Sequence, residues 1–144
     1  FSEKMKLVLL ISVMVSACLC SISVNLKVHG MLSCSKPFSH HVTLWEDDQV
    51  SSDIVDTDNA ISSTKSATYE VSGKGYDGWF DIEVEPLMTI EHDCGPKPVC
   101  ICKRFSPSIE DLDAIVDINL ENNKLESCNA CEDAKLRRTS QKQD

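Results

Sequence analysis

The sequence predicts an all-β fold, a two-sheet antiparallel β-sandwich stapled by disulfides. Three observations predict it. Short runs of alternating apolar and polar residues recur along the chain, with turn residues between them, which is the signature of half-buried strands at sandwich spacing. No amphipathic helical period of any length interrupts them. Six of the eight cysteines follow an apolar leader, and an even number in a small exported chain reads as a disulfide framework.

The leader comes first. Lys6 is followed by an apolar run from Leu7 to Val15 and then by small residues up to Ser23. A basic start, a short apolar stretch and small residues at cleavage offsets describe a secretory signal peptide. The run falls short of the roughly 20 apolar residues a membrane span needs. Cleavage is expected after Cys20 or Ser23, and Phe1 to Lys4, ahead of the first Met, are set aside. The expected domains are therefore residues 1–23 as upstream residues and leader, 24–128 as the sandwich, and 129–144 as a polar, disordered tail.

The strands follow in order. Val24, Leu26, Val28, Gly30, Leu32 and Cys34 alternate with Asn25, Lys27, His29, Met31 and Ser33 in the clearest strand, which Ser35-Lys36-Pro37 ends. Val42 and Leu44 alternate in a second. Residues 49–66 read as a polar loop with a short strand near 53–57. Ala67, Tyr69 and Val71 mark another strand, and Gly73 to Gly78 a flexible turn. Pro86 suits the first position of the strand 87–94. Gly95-Pro96-Lys97-Pro98 makes a hairpin connection to Val99–Phe105. Ala114 to Leu120 forms the last strand, and Ser108 to Asp113 has the cap and acids for one helical turn.

Charge excludes some partners. The chain carries net −9, and removing Glu3, Lys4 and Lys6 with the leader makes it −10. Phosphate binding needs a basic patch, so nucleic acid is not an expected partner. Plain electrostatic docking on anionic lipid is disfavoured for the same reason.

Several constellations carry possible chemistry. Cys100-x-Cys102 and Cys128-x-x-Cys131 have zinc-like spacing, but in an oxidising compartment such thiols are expected as disulfides. The acids Asp47, Asp48, Asp53 and Asp56 form a weak Ca²⁺ candidate, since Ca²⁺ takes several carboxylate oxygens; the expected reading is a solvated acidic loop, with no metal and no cofactor. His92-Asp93 stands beside Cys94, yet a bridged cysteine is no nucleophile. No Gly-x-Ser-x-Gly elbow is present, and no enzyme activity is expected. Trp45 and Tyr69 are expected to pack on the sheets. Tyr76 and Trp79, beside Gly75 and Gly78, are the candidates for an exposed binding surface.

Taken together, several motifs resemble one family. Gly30-x-Leu32-x-Cys34-x-Lys36-Pro37, Val42-x-Leu44-Trp45-Glu46-Asp47, Asp53-Ile54-Val55-Asp56, the run Pro86 to Cys94 ending His92-Asp93-Cys94, Cys102-Lys103-Arg104 and Ile118-Asn119-Leu120-Glu121 occur in this order over residues 26–128. In order and spacing they are similar to the nematode transthyretin-like proteins. Cys100 and Cys131 are additional to that pattern. The resemblance implies a transthyretin-type (prealbumin-like) sandwich and a secreted extracellular protein acting in recognition at cell surfaces. A hydrolase that shares the fold ends in Tyr-Arg-Gly-Ser, which this chain, ending Lys142-Gln143-Asp144, lacks.

Six cysteines, Cys34, Cys94, Cys100, Cys102, Cys128 and Cys131, allow fifteen full pairings. The 95–98 hairpin suggests Cys94 with Cys100 or Cys102. The resemblance implies that the first strand and the strand at 114–120 run side by side in the same direction, which suggests Cys34 with Cys128 or Cys131. One of Cys100 and Cys102 then meets one of Cys128 and Cys131. Two functions remain open: an extracellular binding or adaptor protein recognising a lipid, receptor or host molecule, and a carrier of a small lipophile between the sheets.

Overall fold

A computed structural model describes residues 22–47, 52–76 and 83–134. Residues 1–21, Asp48, Trp79 and residues 135–144 lie outside them. Among the described residues there are eight strands: β1 (Ser23–Ser33), β2 (Phe38–Asp47), β3 (Ser52–Ser62), β4 (Ser66–Tyr76), β5 (Pro86–His92), β6 (Val99–Arg104), β7 (Leu112–Ile115) and β8 (Ile118–Asn119). One sheet has the order β4-β1-β7, with β8 also on β1; the other has the order β3-β2-β5-β6. The pairings are antiparallel except β1 with β7 and β8, which are parallel. The two-sheet, disulfide-stapled sandwich is therefore present, with its first and last strands side by side and running the same way.

Alternation sends one face of each strand inward. Val24, Leu26, Val28 and Leu32 of β1 meet Phe38, Val42 and Leu44 of β2 and Met88 and Ile90 of β5 in a single buried cluster. Tyr69 and Val71 of β4 join it, as the alternation predicts. Pro86 occupies the first position of β5, where a missing N–H is tolerated.

Several elements differ from the sequence reading. β3 is a full eleven-residue strand and not a short one in a loop. It is an edge strand, largely solvated on both faces, so its polar residues incur no burial cost while pairing with β2 along its length. Gly73 and Gly75 belong to β4 and not to a turn. A Cβ on Gly73 would stand 2.6 Å from the Val55 side chain, and one on Gly75 2.6 Å from Val84, so close packing calls for glycine there. Residues 108–113 form no helical turn: Ser108 bridges Val84, and its hydroxyl accepts from the Glu110 N–H.

The last strand is split at Val116-Asp117. The parallel register still holds across the break, with Leu26 opposite Leu112 and Leu32 opposite Ile118. Gly30 explains how. The Val116 carbonyl lies over it, 2.1 Å from where a Cβ would sit, and accepts the Tyr69 hydroxyl at 2.8 Å. Gly30→Ala is expected to cost about 3 kcal/mol, the upper range for overpacking, because the clash is with backbone. Urea denaturation checks it; a loss under about 0.5 kcal/mol, the range of an unremarkable surface substitution, would show that Val116 can step aside.

The C-terminal segment is also ordered further than expected. Residues 129–134 are helical, and Ala130, Cys131 and Ala134 are buried. They cover the outer face of the β3-β2-β5-β6 sheet over Trp45 and Leu87. The folded unit thus extends to residue 134 and not 128.

Candidate functional site

All six cysteines are bridged, but the pairing corrects two expectations. Cys34 joins Cys94, Cys100 joins Cys131 and Cys102 joins Cys128. Cys94 cannot face Cys100 or Cys102, because the β5–β6 register sets Glu91 opposite Cys100 and Thr89 opposite Cys102. Cys94 instead lies beyond β5, beside the end of β1, with 5.9 Å between its Cα and that of Cys34. Cys128 does not follow β8 toward Cys34. The chain crosses to the outer face of β6, where Cys102 N–H donates to the Glu126 carbonyl. The expectation that β6 meets the 128–131 pair holds twice over. The zinc-like spacing does bring four sulfurs together, as two disulfides.

The acids have a use the sequence did not reveal. Asn25 N–H donates to Asp111, Met31 N–H to Asp117 and Ser35 N–H to Glu121, each pair 86 residues apart. That is the offset of the parallel ladder itself, so carboxylates stand in where ladder carbonyls are missing. On the other side, Asp58 accepts from Glu70 N–H and Asp56 from Ser72 N–H, closing donors along β4. Covering such donors blunts a sheet edge against pairing with other chains. Hydrogen bonds from Asn25 hold the Asp111 carboxyl below its ordinary pKa.

These placements bear on the Ca²⁺ candidates. Asp56 is engaged by Ser72; Asp47 bonds Arg104 and the Ser52 hydroxyl; Asp53 faces Glu46 across β2–β3. Asp48 lies outside the described residues. The two clusters of three ligand-type side chains among the described residues are Cys102, Cys128 and Cys131, and Cys34, Cys94 and Glu121. Neither contains these aspartates, and their sulfurs are in disulfides.

Tyr76 ends β4 and is 60% exposed. Trp79 lies outside the described residues. A concavity of about 790 Å³ lies at the opposite end of the sandwich, between β2, β3 and the end of β5. His40, His41, Ile61, His92, Asp93 and Pro98 are among its lining residues. Ile61 stands 88% exposed at it. Ser39 N–H donates to Asp93 at 2.7 Å, and the Asp93 N–H donates back to the Ser39 carbonyl. Hydrogen bonding from Ser39 holds the Asp93 carboxyl below its usual range.

His40 and His92 are direct cross-strand partners on the inner face, and both are more than nine-tenths buried. His92 Nδ1 accepts the Cys94 N–H at 3.3 Å, so its neutral form carries hydrogen on Nε2. Neither that Nε2 nor either His40 nitrogen has a hydrogen-bond partner among the described residues. Burial pushes both imidazoles below their ordinary pKa; Asp58 opposes this at His40 and Asp93 at His92. Sequence reasoning missed this pair because only the β2–β5 register brings it together.

The pH consequence has a definite sign. With folded pKa values below the unfolded value of 6.5, the unfolded chain binds more protons. Stability contributed by neutral His40 and His92 is complete above pH 6.5 and declines as pH falls through the window below it. Asp93 acts later: its depressed pKa supports the fold above its unfolded value of 3.8 and loses that support as pH falls further. Thermal melts between pH 7 and pH 5 should show a falling Tm, and His40→Leu should flatten the slope. An unchanged slope in His40→Leu would count against the buried-imidazole account.

No protein-family model matches the chain, and no curated protein matches it.

Proposed function

We propose that the chain is a secreted, non-enzymatic binding or adaptor protein of the nematode transthyretin-like family, recognising an extracellular protein or lipid through its outer surface. The filled interior carries this reading. Leu26, Val28, Leu32, Val42, Leu44, Met88 and Ile90 are each essentially inaccessible between the sheets, which favours a partner met outside the sandwich over one carried within it. Three disulfides and the absence, among the described residues, of a helix long and apolar enough to cross a membrane fit an oxidising extracellular setting. The parallel placement of β7 and β8 on β1 supports the transthyretin-type reading. Cys94 is bridged to Cys34, which leaves no thiolate beside His92.

Two surfaces offer contact: the cleft with Ile61, and Tyr76 at the other end, near Trp79 in sequence. The cleft end is the better recognition surface, because a large exposed apolar side chain there adjoins a polar concavity. The test expresses the chain in a eukaryotic secretion system and probes a cell-surface receptor library and a lipid array. Binding of the wild type that is lost in Ile61→Asp and kept in Tyr76→Asp supports the reading. Loss in Tyr76→Asp alone moves the site to the opposite end. A chain retaining Leu7 to Val15, or a lipophile co-purifying from the interior, would overturn it.

A further inference from the structure

The two C-terminal disulfides touch one another. Cys102 Sγ, bonded to Cys128, lies 3.5 Å from Cys131 Sγ, which is bonded to Cys100. Accessibility separates the two bridges. Cys102 and Cys128 are partly exposed, whereas Cys100 is 7% and Cys131 1% exposed. An external thiol therefore reaches the outer bridge and is screened from the inner one. The β6 alternation places Cys100 and Cys102 on one face, with Cys128 just before the helical segment and Cys131 within it.

We infer that Cys100, Cys102, Cys128 and Cys131 form a thiol–disulfide relay, in which a monothiol reductant opens the outer bridge and the thiolate released passes the break to the buried one. The attacking thiolate forms a bond to Cys128 Sγ, the Cys102–Cys128 bond breaks, and its electron pair leaves on Cys102. The Cys102 thiolate is already in contact with Cys131 Sγ and attacks it. A Cys102–Cys131 bond forms, the Cys100–Cys131 bond breaks, and the pair leaves on Cys100. A second thiolate attacks the mixed disulfide, leaving Cys128 as a thiolate and the reductant as its own disulfide. Two thiols are oxidised to one disulfide, one protein bridge is reduced, and the two thiol protons end on Cys100 and Cys128.

The product differs from a simply reduced protein. One bridge, of non-native pairing, still ties residue 131 to β6, while residue 128 is released. The cover over Trp45 and Leu87 is thereby held at one point and not two. The relay makes the covering segment respond to a thiol that never contacts the buried disulfide.

Glutathione added to the full oxidised chain under native conditions, with quenching by N-ethylmaleimide and peptide mapping, tests the relay. One-bridge species should carry a Cys102–Cys131 link with Cys100 alkylated and Cys128 alkylated or glutathionylated. In Cys102→Ser/Cys128→Ser, reduction of Cys100–Cys131 should slow at least tenfold. Intermediates holding only native pairs overturn the relay, as does loss of Cys100–Cys131 in the double variant at the wild-type rate. The wild-type map decides alone if that variant does not fold.

Discussion

Trp45→Ala is expected to lower the unfolding free energy by about 3–5 kcal/mol, the range for truncating a large buried aromatic. Trp45 is inaccessible to solvent, although it sits on the face of its sheet that points away from the main core. Among the described residues, Leu87, opposite it on β5, and Ala130 and Ala134 of the helical segment share its buried cluster, with Cys102 and Cys128 packed against it. Its indole N–H donates to the Thr89 hydroxyl at 2.9 Å. Truncation removes the apolar ring, leaves Thr89 without that donor and takes away the surface on which the segment rests. Equilibrium denaturation measures the loss, and limited proteolysis should cut the variant within residues 123–134 first. Trp45→Phe should cost less, because it keeps an aromatic ring in the site while giving up the hydrogen bond and part of the buried volume. A Trp45→Ala loss below about 1 kcal/mol, well under that range, would mean that the segment does not rest on it.

Replacing both Cys34 and Cys94 with alanine is expected to cost about 4 kcal/mol in the chain-entropy model for a loop of this length, the two cysteines being 60 residues apart. This bridge differs from the other two. It joins the end of β1 in one sheet to the residue two beyond β5 in the other, whereas Cys100–Cys131 and Cys102–Cys128 tie the C-terminal segment to β6. Around it, Lys36 donates to the Gly95 carbonyl and Cys34 N–H to the Lys65 carbonyl, so several loops converge at one end. Losing the staple should sharply lower the yield of folded protein from a eukaryotic expression system, while Ser106→Ala, at an exposed position, should leave it unchanged. Equal midpoints for wild type and double variant in urea would place the stabilisation elsewhere.

The strands inside the sandwich were legible because burial on one face writes itself into the sequence with period two. Val24 to Leu32 and Val42 to Leu44 carry that period, and they form the core. The even set of six cysteines likewise announced that all were bridged. Where both faces of a strand meet water, the period vanishes, and the sequence of β3 shows only a short strand near 53–57 within a polar loop. Its pairing with β2 supplies what its composition does not.

The choice of disulfide partners belonged to the tertiary structure alone. Pairing depends on which Cα atoms approach within about 6 Å, and β5 ends two residues before Cys94, which carries that sulfur past the hairpin to Cys34. The same holds for His40 and His92: each is an ordinary histidine in sequence, and only the antiparallel register places two neutral imidazoles side by side in a buried site. The acids show the division most plainly. The sequence determined that the surface is strongly acidic, while the i to i+86 register determined that Asp111, Asp117 and Glu121 each meet a backbone N–H of β1 or the residues just after it. Local chemistry sets what each residue can bond, and long-range register sets what it meets.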